Sequence, residues 1–432
     1  MFETIKNILI NADIDDWTVL EKRSRSRELF FIRKSLDMNR AKDVVSSTVT
    51  VFKDFTEDCT SYRGSASVVL GNNMTEEEMK AKLENAVFAA GFVKNPHYPI
   101  HPGVTSSFTG NRGRLSEKNL MPVCSDIIKS LYKHDNHQDG GINSAELFLN
   151  QMEYRFVSSE GTDLSYTQNR GTIELVCDWN DGKGGVELYN MFSFADFDSA
   201  LIEEECRRQI ESCRLRAEAR PAGLIESVNI ILKGAAVRDM MDFYRAHSNV
   251  KGIYEGTARG KKGEVFQGDG VRGDLVTISL DPFLSHSPYS APVDRDGVKL
   301  KKICLYDRGK LLRYHGSQQY SSYLEEQPSG EIPNIIVDSG QQSVEEWKKE
   351  PHVEIVTFSD FQMDSLTGDF GGEIRLALYY DGEKTVPLTG ASLSSCLFDV
   401  QKEMYLSKER VDIENYSGPG YLMFPGGTIS GA

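Results

Sequence analysis

Several short stretches of this chain hold residue types that do chemistry elsewhere. His97-Tyr98-Pro99-Ile100-His101 places two imidazoles four apart, the spacing with which one helix face grips a metal ion. Pro96, Pro99 and Pro102 forbid a helix there, so the segment reads as a surface loop. Asp135-Asn136-His137-Gln138-Asp139-Gly140-Gly141-Ile142-Asn143-Ser144-Ala145-Glu146 fits a calcium loop at its first, fifth, sixth, eighth and twelfth places. Its third place is His137, a nitrogen donor where a hard cation takes oxygen, and the residues after Glu146 alternate like a strand. Asp294 and Asp296 have the spacing of a carboxylate pair for acid–base work, yet Asp ahead of Gly297 suits a tight turn better. Lys261 and Lys262 lack the ordered Gly-x-x-x-x-Gly-Lys-Ser/Thr of a phosphate cradle, and no Gly-x-Ser-x-Gly elbow is present. Cys396, between Ser395 and Leu397, reads as a packed thiol. His247 reads as a helix C-terminal histidine facing the macrodipole.

These residues need elements to hold them. A chain of 432 residues exceeds the size at which one core keeps growing, so two domains are expected. The fold class is α+β: an N-terminal sheet with helices over residues 1–220, then a sheet-rich, barrel- or sandwich-like domain over 221–432. Alternation through Glu28 to Arg33, Ser47 to Phe55 and Thr172 to Trp179 predicts strands with one solvated face. Thr75 and Glu78 form a capping box for a helix that Gly91 ends in the left-handed conformation. Asn95 to Arg114 is rich in loop formers. A second helix is predicted from Glu117 to Tyr132. Asp196 is placed to cap a long third helix, which Pro221 cannot continue. Beyond it strands prevail, interrupted by helices over Ala235 to Ala246 and Ser343 to Lys349. Lys301 to Tyr306 and Leu311 to Tyr314, joined by Asp307-Arg308-Gly309-Lys310, predict a hairpin.

Composition excludes some functions. A formal charge of −15 repels a phosphate backbone, so nucleic acid is a poor partner. No apolar run approaches the roughly 18 residues that span a bilayer, and no signal-cleavage region follows the first apolar residues. Seven scattered cysteines without a CxxC pair fit reduced thiols in the cytoplasm.

One order of pieces is more specific. The turn Asp294-Arg295-Asp296-Gly297-Val298, the strand Lys301 to Tyr306, the charged Gly309 turn, Leu311-Leu312-Arg313-Tyr314 and the run Ser317 to Tyr323 follow one another. Gly256-Thr257-Ala258-Arg259-Gly260 precedes them; Thr367-Gly368-Asp369-Phe370 and Pro387-Leu388-Thr389-Gly390-Ala391-Ser392-Leu393 come later. This succession resembles the TldD/PmbA family, once described as modulators of DNA gyrase and understood as subunits of a cytoplasmic zinc metalloprotease.

The resemblance implies where a zinc site would lie. Catalytic members carry a helical His-Glu-x-x-x-His and a C-terminal cysteine. The corresponding helix here runs from Val237 to Asn249, with the ligand places near Tyr244 and Asn249 and the glutamate place near Arg245. An arginine there cannot accept a proton, His247 is the one imidazole in the window, and Tyr405 to Ala432 holds no cysteine. The resemblance therefore implies the PmbA/TldE-like branch: no catalytic residue and no metal in this chain, zinc in a TldD-type partner, and unfolded peptide as substrate. Tyr244, Arg245, His247 and Asn249 are the expected cleft positions, with Arg259 and Lys261 as peptide contacts. Other readings are a peptidase acting alone through an unrecognised metal or nucleophile, and a structural homodimer.

Overall fold

The computed structural model describes residues 2–12, 14–108, 113–182 and 184–431. The first sheet runs Thr60–Gly71, Ser35–Glu57, Asp16–Ile32, Gly140–Ser158, Asp163–Asn180, Thr105–Phe108, with Gly185–Phe194 also on Asp163–Asn180. Its long strands alternate as the sequence demands. Val19, Leu29, Val49, Val51, Leu147, Leu149, Ile173 and Leu175 are buried on one face, where helices cover them; each such side chain contributes roughly 1.5–3 kcal/mol on leaving water. Leu83 of the helix Glu76–Ala90 and Ile5 of Phe2–Ile10 fill one end of that layer. Ile127 of Met121–Leu131 and Cys206, Ile210 and Cys213 of Ser199–Glu218 fill the other.

Local expectations fare unevenly here. The Thr75–Glu78 capping box forms. Gly91 does not turn left-handed: its φ is −64°, because the chain continues in tight turns, with the N–H groups of Gly91, Phe92 and Val93 donating to Phe88, Ala89 and Ala90. The second helix starts at Met121, not Glu117, since Pro122 is tolerated only in a first turn. The long helix is capped by Asp198, which accepts from Ala200 and Leu201; Asp196 instead accepts from the Leu115 N–H. Within the expected Asn95 to Arg114 loop, Thr105–Phe108 forms a short parallel strand, and residues 109–112 lie outside the described residues. The would-be calcium loop is a helix-to-strand connection. Asp135 receives the Ile142 N–H, and Glu146 stands mid-strand opposite Glu174.

The remaining strands build two further sheets. Ile225–Lys233 pairs with Tyr421–Gly431, which pairs with Ala391–Cys396, then Asp369–Tyr380, then His352–Met363, which returns to Ile225–Lys233. That circuit is a closed barrel, and closure removes sheet edges. The second sheet runs Lys310–Leu311, Ile303–Asp307, Ile278–Asp281, Asn334–Val337, Tyr416–Pro419, Arg410–Ile413. Its predicted hairpin turns at Arg308 and Gly309, with φ of 48° and 78°, the doubly positive pair that matches strand twist; its second strand stops at Leu311. Between barrel and sheet lies the helix Ala235–Ala246, with Val237, Met240, Met241 and Tyr244 in a core shared with Ile230, Leu232, Ile278 and Ile335. No helix among the described residues is long and apolar enough to cross a membrane.

Candidate functional site

The site helix begins where Gly234, at φ 59°, turns the strand Ile225–Lys233 into Ala235–Ala246. Residues three and four apart share a helix face, so the inward stripe that starts at Val237 and Met240 carries Tyr244 with it. Tyr244 is wholly buried. Its hydroxyl donates to Gln401 Oε1 at 3.2 Å, its carbonyl accepts from the Tyr306 hydroxyl at 3.0 Å, and its ring meets those of Phe266 and Tyr306 edge-on. Burial pushes the phenol far above its ordinary range. Tyr244 is thus a core strut, not a cleft residue.

Arg245 projects to the other side. Its Nε pairs with Asp242 Oδ1 at 2.8 Å, and Nη1 reaches toward the Ile332 carbonyl at 3.5 Å. Asn249 is the N-cap of the next helix, Val250–Glu255: Oδ1 accepts from the Lys251 N–H at 2.9 Å, while Nδ2 faces Glu331. Arg245 and Asn249 line one cleft of about 480 Å³ with Asp242, His315 and Glu331.

His247 lies beneath the surface, 1% exposed. Its Nδ1 accepts from the Arg259 N–H at 2.9 Å, which places the proton on Nε2, and its ring centroid is 4.2 Å from that of Phe243 and 5.3 Å from that of Phe266. Burial first, then the nearby Arg259 guanidinium, lower its pKa from 6.5 to about 4. The expected macrodipole role needs an imidazolium and does not hold for a neutral ring. A folded pKa below the unfolded one stabilises the fold above pH 6.5 and is lost as pH falls through 4. Unfolding free energy measured with urea is therefore expected to drop by roughly 1–3 kcal/mol from this group between those pH values, and His247→Gln to flatten that slope.

Arg259 stacks its guanidinium over Phe398 at 4.6 Å, and Lys261 stands on the surface, 4.0 Å from Glu264. Neither lines the cleft. Asp294, by contrast, is a turn-builder: Oδ1 accepts from the N–H groups of Asp296 and Val298, and Oδ2 from that of Glu331. Cys396 sits at the strand-to-helix junction before Leu397–Val400, its thiol facing the Thr367 carbonyl.

His315 and Glu331 are the cleft residues that sequence reasoning missed. The chain at 315 is tied to 248–250 by backbone hydrogen bonds, a contact across more than sixty residues that no local pattern announces. The Asp242–Arg245 pair, at helical i,i+3 spacing, was legible in principle.

Zinc needs imidazole, thiolate or carboxylate donors converging on one point. The implied ligand places hold a phenol inside the core and a capping amide, the base place holds a guanidinium, and the one imidazole has its Nδ1 engaged by a backbone N–H. Among the described residues no group of three His, Cys, Asp or Glu side chains could hold a metal ion. These residues do not fit the ion.

The fold, a helix-backed, mainly antiparallel sheet joined to a closed barrel with one helix wedged against a second sheet, defines a known architecture. It superposes on TldE from Thermococcus kodakarensis with a TM-score of 0.77 at 15% identity, covering 99% of this chain and 98% of that one. A candidate modulator of a DNA gyrase from Thermotoga maritima superposes with a TM-score of 0.78 at 13% identity, covering 99% and 100%. One of DNA gyrase from Bacteroides thetaiotaomicron gives 0.77 at 13%, covering 100% and 98%. In sequence, residues 225–431 match the profile of the PmbA/TldA metallopeptidase C-terminal domain. An uncharacterized protein of Methanocaldococcus jannaschii is 22% identical over 265 residues, 58% of this chain; the chain spans 60% of that relative's length. Residues 225–431 thus carry a domain of the PmbA/TldA metallopeptidase C-terminal type, and the chain as a whole shares the fold of the solved structures.

Proposed function

We propose that this chain is the metal-free, TldE-like subunit of a cytoplasmic two-chain metallopeptidase, in which a TldD-type partner holds the zinc and this chain helps bind unfolded peptide. One observation carries the reading. The helix that would present the zinc ligands has its first ligand place built into the core, as Tyr244 bonded to Gln401 and Tyr306, and its base place occupied by an arginine paired with Asp242. A guanidinium remains charged and cannot serve as general base. The barrel and the cleft beside the helix persist, so a binding role survives without the catalytic one.

Mixing the purified chain with a zinc-holding relative is expected to yield chelator-sensitive cleavage of an unfolded peptide that neither shows alone. Two results would sink the reading: a partner fully active by itself and indifferent to this chain, or stoichiometric zinc and cleavage in this chain on its own.

A further inference from the structure

The helices of the first half pack on one face of its sheet. The second half of the chain meets the opposite face at its far end, where Leu20, Phe156 and Leu164 pack with Val293, and borders it near Tyr189 through Thr357 and Phe358. Between those contacts Ile32, Met38, Val44, Tyr189 and Met191 remain 40–59% exposed. Directly paired residues share a face, so rows can be read across the strands. One runs Met38, Phe30, Glu146, Glu174, Met191, and the next Arg40, Glu28, Phe148, Thr172, Ser193. Ile32 and Tyr189 stand one row to one side, and Lys42 and then Val44 to the other. Five strands about 4.8 Å apart and five rows about 6.8 Å apart give a face of roughly 800 Å², the share each partner contributes to a stable interface. Single exposed apolar residues are ordinary, but this many around one uncovered face mark an interaction surface.

Charge is distributed unevenly across that face. On the side of Ser35–Glu57, Arg40 and Lys42 share one carboxylate, that of buried Glu28, at 2.8 and 2.7 Å, which leaves a positive charge in excess. On the side of Asp163–Asn180, Glu146 stands directly opposite Glu174. Neither has a cation within ion-pair distance among the described residues; Glu174 accepts from the Tyr189 hydroxyl at 3.0 Å. Burial first, then Glu174, push the Glu146 carboxyl above its ordinary range, against the pull of Arg40. Like charges directly opposite destabilise a sheet, so this pair calls for a cation from outside. At the corner Arg33 and Asp178 neutralise each other, and Glu187 accepts from the Asn143 amide.

We infer that this face docks a second copy of the chain, about a two-fold axis running along the central strands, so that the Arg40 side of each copy lies over the Glu146–Glu174 side of the other. Sheets stack face to face in this way with their strands nearly aligned, and a two-fold contact uses one self-complementary patch twice. The occupant follows from the two signs. A polyanion would confront Glu146 and Glu174, and a polycation Arg40 and Lys42, whereas a second copy brings each sign to its opposite and covers the apolar flanks of both. The pairing belongs to the chain alone and does not rest on the two-chain protease reading.

Sedimentation velocity of the full chain alone, at micromolar concentration, is expected to show a species of twice 48.4 kDa. Arg40→Glu leaves Lys42 on Glu28, and Glu174→Lys relieves the like-charge pair, so both variants keep their local partners. Each alone sets like charges against each other in both halves of the contact and is expected to weaken dimerisation about a hundredfold or more. Mixed in equal amounts, the two restore opposite charges and the dimer. Should either fail to fold, as judged by circular dichroism, Met38→Asp, at an exposed position facing the acidic side of the second copy, is expected to dissociate the dimer to the same extent. A chain that stays at 48.4 kDa, a dimer that none of these changes weakens, or charge variants whose mixture stays monomeric overturns the inference. Any of these leaves the two-chain reading to be decided by mixing with a zinc-holding relative.

Discussion

Tyr244→Ala is expected to lower the free energy of unfolding by about 3–5 kcal/mol, the range for deleting a large aromatic side chain from a packed core. Tyr244 is wholly buried, and its ring is packed edge-on by Phe243, Phe266 and Tyr306. Alanine opens a cavity between the helix and the second sheet, beside Phe266 and Tyr306, and strips Gln401 Oε1 of its donor. Tyr244→Phe keeps the ring and removes only that bond, so it is expected to cost about 1 kcal/mol. Urea unfolding followed by circular dichroism separates the two. The contrast bears on the metal site that the resemblance implies: installing His, Glu and His at 244, 245 and 249 is expected to produce an unstable chain that takes up no zinc, because the first of those side chains points into the core. A Tyr244→Ala chain as stable as the parent would return residue 244 to the cleft.

Arg63→Met has the next largest expected effect, about 2–4 kcal/mol, a little under the range for breaking a buried ion pair because Asp54 is 29% exposed. Arg63 is 4% exposed and grips Asp54 through Nε at 2.7 Å and Nη2 at 2.6 Å, and Asp16 through Nη2 at 2.9 Å. Methionine fills much of the volume but leaves two carboxylates without their guanidinium. The consequence reaches the second half of the molecule. Arg63 lies over the rings of Phe52 and Tyr98, Tyr98 packs on Tyr323, and the Tyr323 hydroxyl donates to the Pro96 carbonyl. Differential scanning calorimetry is the measurement, and a melting temperature unchanged by Arg63→Met would contradict this account.

What the sequence disclosed follows from how local each signal is. The Thr75–Glu78 box, the Ala235–Ala246 helix and the Arg308–Gly309 hairpin turn are written in four to twelve consecutive residues, and propensity alone places them. Asp196 and Asp198 are equally good caps on paper; the choice between them falls to a tertiary partner, the Leu115 N–H. The barrel shares that difficulty. Its circuit depends on Ile225–Lys233 meeting strands that begin at His352 and Tyr421, and no local pattern specifies a register across such a separation. Tyr244 had a readable stripe, with Val237 and Met240 seven and four residues before it, but a tyrosine can place its ring inside and its hydroxyl in water. That both are inside depends on Gln401.

The circuit of barrel strands also sets a clock for biosynthesis. Ile225–Lys233 waits for Tyr421–Gly431, which emerges roughly 190 residues later, on the order of 10–40 s at usual elongation rates. Throughout that interval the apolar side of an unfinished ring is open to other nascent chains, whereas the earlier sheet, made wholly from residues before 195, can already have folded. Ribosome-associated holdases would therefore engage this protein late in translation, and a nonsense codon that spares all but the last strand would be expected to yield aggregate, not a shortened folded chain.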